Sequence, residues 1–224
     1  MAFLPPILYA IWIRNTEKYN REKWKPIILC FIWGATIAVM AALILEMLLE
    51  TSLAVSIEDP YSIGFLMVVI VAPFAEELTK PLALRIKTVE KELDEPEDGL
   101  IYGAVAGLGF SATENLLYGW VFLSQGLVFF VFFMLLRSFG GCLLHASATA
   151  WTGFGIGKTV MNKIPFINVL PFFLLAFFVH ALYNFVLSFE LIGAAVGLFA
   201  ALSIAGFTIV IVRRKIVFLD SMNV

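Results

Sequence analysis

The chain alternates between long apolar runs and short polar joints. Apolar stretches cover about residues 26–50, 62–87, 99–123, 127–158, 165–188 and 191–212, with a shorter one at 2–13. Each longer run reaches the roughly 20 residues that an α-helix needs to cross a bilayer, whereas 2–13 is marginal for a span. The ten-residue alternation of a membrane β-barrel is absent from the sequence. The pattern predicts an all-α, polytopic transmembrane bundle of six to seven spans. It reads as a single membrane-embedded domain over 1–224, with its motif-bearing core at about 62–188.

Composition supports lipid as the solvent. Hydrophobic residues make up 61% of the chain and charged residues only 14%, and the mean hydropathy is +0.95. A soluble domain of this size could not hide so much apolar surface. The formal net charge of -2 comes with no basic cluster, so nucleic acid is not an expected partner. Cys30 and Cys142 both lie in apolar runs and read as packing residues, not a disulfide pair.

Lysines and arginines set an orientation. Arg14, Lys18, Arg21, Lys23 and Lys25 mark the first joint as cytoplasmic, as do Arg85, Lys87 and Lys91 for the third. Residues 51–61, 124–126 and 188–190 carry neither and read as external, while Lys158, Lys163, Arg213, Arg214 and Lys215 fall inside. The C-terminus is therefore expected in the cytoplasm of a multi-pass protein of the plasma membrane. No basic segment precedes residues 2–13 and no small-residue cleavage site follows, so they do not read as a signal peptide. The acidic run from Glu90 to Asp98 reads as a solvated cytoplasmic loop. Gly99, Gly103 and Gly107, and Gly193 with Gly197, have the spacing of close helix packing, and Gly153, Gly155 and Gly157 are expected to loosen the end of their helix.

Against this background the polar residues inside the runs stand out, because an ionised group in hydrocarbon costs several kcal/mol or more. Glu76, Glu77 and Lys80 lie between Pro73 and Pro81; Glu114 and Asn115, Arg137, His145, and His180 with Asn184 lie in other runs. From the helical rise, Glu77 is about 15 Å from the cytoplasmic end of its span, His145 about 20 Å, and Glu114 and His180 about 22 Å. Groups from separate helices thus share one layer. The i,i+4 spacing of Glu76 and Lys80 predicts a pair that steadies Glu76 and leaves Glu77 for chemistry. Phe110 is expected to wall the site, and Glu46 and Glu50 to be interfacial. Arg137 reads either as a structural ion-pair residue or as part of the site, and Asn115 and Asn184 either as helix bridges or as site members.

Three carboxylates face two cations here, an imbalance relieved by a shared proton or a bound cation. Two chemistries fit. In one, a carboxylate activates water while the histidines and Asn184 stabilise an oxyanion. In the other, Glu114, His145 and His180 hold Zn²⁺ and Glu77 is the base.

Glu76-Glu77-x-x-Lys80, Phe110-x-x-x-Glu114-Asn115, His145 and His180-x-x-x-Asn184 together resemble the four motifs of the PrsW family of intramembrane proteases, over about residues 70 to 185. A more distant similarity is to the CaaX prenyl endopeptidases, which have histidine where this chain has Glu114. The resemblance implies an intramembrane endopeptidase acting on a membrane-associated protein, such as a membrane-bound anti-sigma factor. CaaX relatives imply a metal-free glutamate mechanism, whereas PrsW proteins are grouped with metallopeptidases. The expected catalytic set is Glu76, Glu77, Glu114, His145 and His180, supported by Lys80, Asn115, Arg137 and Asn184. The rival classes are a proton-coupled transporter or channel and a catalytically silent scaffold. The first would be expected to show repeated halves with paired broken helices, and no convincing repeat is present.

Overall fold

The computed structural model describes residues 1–222, which are almost entirely helical, with no strand among them. Eight helices follow in order: α1 (Leu4–Arg14), α2 (Trp24–Ala54), α3 (Pro60–Arg85), α4 (Lys87–Glu90), α5 (Asp98–Ser124), α6 (Leu127–Met161), α7 (Phe166–Ser188) and α8 (Ala194–Asp220).

Five of these, α2, α3, α6, α7 and α8, are long and apolar enough to cross a membrane. The expected count of six to seven comes down to α1 and α5. With 11 residues, α1 extends only about 16 Å and is too short to span. At 27 residues α5 has the length, but small and polar residues replace much of its apolar surface. The reason is position: α5 is the inner helix, packed on α6, α2, α1 and the 3₁₀ end of α3. A helix wrapped by protein needs small residues for close approach, not a lipid-facing surface.

Glycine sets that approach. A Cβ on Gly99, Gly103 or Gly107 would fall 2.4, 2.6 and 2.2 Å from the carbonyl oxygens of Gly153, Thr149 and His145. Gly153 and Gly157 therefore tighten the α5–α6 seam, where loosening was expected. Gly197 packs its backbone against Val186, but Gly193 lies in open space at φ +76° and starts α8 instead of packing it. Outward-facing residues such as Leu43, Met47, Leu174, Phe178, Phe199 and Phe207 remain exposed, as a lipid-facing shell requires.

Prolines shape α3. Asp59 caps it, accepting from the N–H groups of Tyr61 and Ser62 at 3.3 and 3.0 Å, with Pro60 in the first turn. Upstream of Pro73 the backbone widens into a π-helical turn at Met67–Val71. Pro81 begins the 3₁₀ turn Lys80–Arg85 that ends the helix. α6 runs unbroken from Leu127 to Met161, as expected, with its own π turn at Arg137–Gly141.

The acidic run is solvated only in part: Asp94 is exposed and Glu90, Glu92 and Glu95 are half-buried, but its end is enclosed. Glu97 and Asp98 are buried, together with Glu17 and Glu22 of the α1–α2 joint.

Candidate active site

One fully buried lysine organises the interior. Lys80 Nζ lies 2.7 Å from Glu76 Oε2, 3.0 Å from Glu77 Oε1 and 2.8 Å from His145 Nδ1. An ammonium has three hydrogens and no lone pair, so all three are used. Phe110 lies beneath it, with the ring centroid 4.4 Å from Nζ, and also flanks the His145 ring at 5.7 Å. The expected wall is in place. The expected asymmetry is not: Lys80 holds both glutamates, because i,i+3 and i,i+4 positions both fall on its side of the helix.

The two glutamates differ in another way. Glu77 is fully buried, and both its oxygens are engaged. Oε1 meets Lys80 and, at 2.9 Å, His180 Nδ1, while Oε2 accepts from Thr149 Oγ1 at 2.8 Å. Glu77 borders a separate cavity of about 380 Å³ among apolar residues such as Phe74, Leu82 and Phe173, whereas Glu76 faces two clefts shared with the other polar groups. The first, of about 300 Å³, runs among α3, α5, α6, α7 and α8 and includes Glu114, Arg137, His145, His180 and Asn184 in its wall. The second, of about 370 Å³, lies among α2, α3 and α5 and reaches Glu46 and Leu43. Glu76, Glu114, Val68, Ala72 and Tyr118 belong to both, so the clefts meet at the two carboxylates. Glu46 therefore lines a cleft leading to the site instead of sitting only at the interface.

The histidine protons follow from their partners. Lys80 can only donate, so His145 accepts on Nδ1 and carries its hydrogen on Nε2. Glu77, as a carboxylate, accepts, so His180 is protonated on Nδ1 and keeps a lone pair on Nε2, 3.9 Å from Glu76 Oε2. The two rings stand perpendicular with centroids 5.0 Å apart.

Glu114 is held from the other side. Its Oε2 lies 3.0 Å from the charged Arg137 Nη2 and 2.7 Å from Nε2 of the neutral His145, in both cases without hydrogen-bond alignment. Arg137 also donates from Nε to Asn115 Oδ1 at 3.0 Å and lies over Tyr118 at 3.9 Å. Arg137 and Asn115 thus form a bracket behind Glu114. Asn115 Nδ2 and Ser111 Oγ both donate to Cys142 Sγ at 3.4 Å. Cys30 and Cys142 are free and buried, as expected.

Asn184 does not touch His180 or any carboxylate. Its Nδ2 donates to the Val68 carbonyl at 2.8 Å. Val68 lies five residues before Pro73, whose missing N–H would have been its partner in the π turn. Asn184 supplies that donor from α7 and ties α7 to the widened turn of α3. The residue that sequence reasoning missed is Thr149. It lies one turn beyond His145 on the same face of α6, a spacing that could have identified it.

A metal set also emerges. Glu76, His145 and His180 each offer a ligand atom, all within 4.8 Å of one another. The carboxylate grouped with the histidines is Glu76, where Glu114 was expected; Arg137 and Asn115 keep Glu114 on the far side of His145. Two imidazoles and a carboxylate are a zinc-type set, but the lone pair of His145 is taken by Lys80, so His145 can join it only when Lys80 releases Nδ1. His180 has the usual arrangement of a metal-bound histidine, one nitrogen held by a carboxylate and the other with its lone pair free.

These features define a class: a multi-pass helical membrane protein with a buried cluster of carboxylates, histidines and a lysine, open to two clefts. The chain matches the family described as PrsW family intramembrane metalloprotease over residues 22–212, and it belongs to that family. Among its relatives, the "Protease PrsW" of Clostridioides difficile is 31% identical over 119 residues, covering 53% of this chain and 48% of that protein. The alignment thus spans about half of that relative. The "Protease PrsW" of Geobacillus kaustophilus is 28% identical over 186 residues, covering 82% and 76% of the two chains. That of Oceanobacillus iheyensis is 28% identical over 185 residues, covering 82% and 79%. No solved structure matches the chain.

Proposed function

We propose that this chain is an intramembrane endopeptidase that hydrolyses a peptide bond of a membrane-associated protein in the cleft at Glu76. A membrane-bound regulator such as an anti-sigma factor is the proposed kind of substrate, and the plasma membrane the proposed site. The observation that carries this reading is the meeting of two clefts at Glu76 and Glu114, beside two histidines of opposite tautomer.

Glu76 is the proposed base, in preference to Glu77, because it faces the clefts while Glu77 has both oxygens engaged. Glu76 takes a proton from water. His180 Nε2 accepts the second hydrogen of that water and so aims its lone pair at the carbonyl carbon. Glu76 then returns the proton to the departing amide nitrogen. Glu77, Lys80 and Thr149 act as a rigid base plate that fixes the tautomer and angle of His180. Where zinc is bound, Glu76, His145 and His180 would hold it as ligands instead of acting on the water, with Lys80 releasing His145 Nδ1, and it would supply Lewis-acid polarisation and an acidified water. A substrate segment would lie extended from one cleft to the other, across the carboxylates.

The test is cleavage of a single-span peptide by the purified protein in liposomes, with and without chelator. Wild type is expected to cut, and His180→Ala to stay folded at a lowered unfolding temperature, having lost a buried partner of Glu77, and to be inactive. Undiminished cleavage by His180→Ala contradicts the assignment. Loss of cleavage on chelation and recovery with zinc supports the metal form, and chelator-resistant cleavage supports the metal-free form.

A further inference from the structure

A second cluster of carboxylates lies at the end of the bundle that carries the α1–α2 joint, away from the clefts. Glu17 and Glu22 come from that joint, and Glu95, Glu97 and Asp98 from the run leading into α5. Glu17, Glu22, Glu97 and Asp98 are buried, Glu17 completely. Two sets of three offer ligand oxygens within 4.8 Å of one another: Glu17, Glu95 and Glu97, and Glu17, Glu22 and Asp98. Glu17 belongs to both.

Buried carboxylates at this spacing repel each other and need a shared proton or a counter-charge. Glu22 and Asp98 bond side chain to side chain, which takes one shared proton. No lysine or arginine forms a close ion pair with Glu17, Glu22 or Asp98 among the described residues; Arg14, which donates to the Glu22 carbonyl, feels the Glu17 and Glu22 charges without pairing with either, and Lys23 reaches Glu92 and Arg85 reaches Glu90 nearby. Some oxygens are satisfied locally. Glu17 Oε2 accepts from the Glu22 N–H at 2.9 Å, Asp98 Oδ2 accepts from the N–H groups of Asp94 and Glu95 at 2.8 and 2.6 Å, and Tyr102 donates to Glu22. Glu95 Oε1 accepts from Asn20 Nδ2 at 3.1 Å. Glu17 Oε1, fully enclosed, has no partner, and neither has Glu95 Oε2. An orphaned buried carboxylate oxygen is costly unless something fills the place it faces. Burial pushes the Glu17 carboxyl up to about 8, helped by the neighbouring Asp98, Glu97 and Glu95 charges.

We propose that Glu17, with Glu95, Glu97, Glu22 and Asp98 around it, forms a binding site for a hard divalent cation, Ca²⁺ or Mg²⁺, separate from the membrane-embedded centre. The donors are oxygen only, which suits these ions and not the nitrogen-seeking transition metals. The ion would join the α1–α2 joint to the start of α5. Asp220 at the end of α8 already binds that joint, accepting from the N–H groups of Lys18 and Tyr19 at 2.9 and 3.1 Å. The site would therefore pin three segments beneath the α5–α6 seam.

Terbium luminescence tests this in the full-length protein in detergent, because Tyr102 touches Glu22 and can sensitise a bound lanthanide. The expected result is a saturable Tb³⁺ signal under tyrosine excitation that Ca²⁺ or Mg²⁺ displaces. Glu95→Gln, at the more open edge of the cluster, should weaken binding by more than about tenfold, and Glu17→Gln should remove it. Glu76→Gln should leave the signal intact, which separates it from ions held at the membrane-embedded centre. No displaceable signal in wild type overturns the proposal. So does a signal that Glu95→Gln and Glu17→Gln leave unchanged, or one that Glu76→Gln removes.

Discussion

Lys80 spends its three hydrogens on groups from two helices, and that single fact determines much of the site. Removing its charge would leave two buried carboxylates unpaired, a loss of roughly 3–5 kcal/mol where one partner of a buried pair is deleted. Lys80→Met is therefore expected to lower both thermal stability and cleavage, read by an unfolding curve beside a peptide assay. Glu76→Gln should behave differently. It keeps a polar group facing the clefts, so cleavage should fall by about 10²–10⁴ with the unfolding temperature close to wild type. Glu77→Gln should lose activity and stability together, because Lys80, His180 and Thr149 all lean on that carboxylate. At this level the sequence was highly legible. Every polar residue singled out by its place in an apolar run is found at or beside the cluster. What could not be read was which oxygen met which donor. Spacing on α3 indicated the Glu76–Lys80 contact but not that Glu77 shares the same ammonium, and Thr149 looked like any small hydroxyl residue of a packed helix.

Helices α5 and α6 place His145 by touching at glycine. Gly107 lies against the His145 carbonyl, where a Cβ would come within 2.2 Å of backbone oxygen. Gly107→Ala should force the seam apart at the level of the histidine, destabilising by about 1–3 kcal/mol as overpacking does and slowing cleavage. Gly64→Ala on α3 is the matched control, since nothing lies within 4 Å of its would-be Cβ. It should leave both stability and activity unchanged. The small-residue spacing on α5 was visible in the sequence and its packing role was met. The same spacing misled at Gly193, where the residue serves a positive-φ turn, while Gly153 and Gly157, read as loosening their helix, close the seam. Partner identity decides such cases, and a single sequence does not contain it. The π turn at Met67–Val71 was legible only in part: Pro73 announced a freed carbonyl, but Asn184 as its new donor depends on how α7 lies across α3.

The molecule as a whole is a shell of apolar helices around α5. Hydropathy finds the shell easily, because lipid-facing residues must be apolar; it finds α5 less well, because protein is its solvent. The same reasoning explains the acidic run at 90–98. Read alone it is a solvated loop, but a distant partner, the α1–α2 joint, lies with its buried end at Glu97 and Asp98. The orientation expected from the lysine and arginine distribution makes a direct prediction. A cysteine placed at Ser124 should react with an impermeant thiol reagent from outside intact cells, and one at Ser221 only after the membrane is opened. The natural cysteines are buried and should not interfere.

The proposed hydrolysis can be read most directly by mass spectrometry of the products formed in ¹⁸O-labelled water. Wild-type protein in liposomes should yield a new C-terminal carboxylate carrying the label, at a bond inside or at the edge of the peptide's apolar span, and Glu76→Gln should yield none at comparable times. An intact peptide with folded wild-type protein, or labelled product from Glu76→Gln at the wild-type rate, would contradict the account.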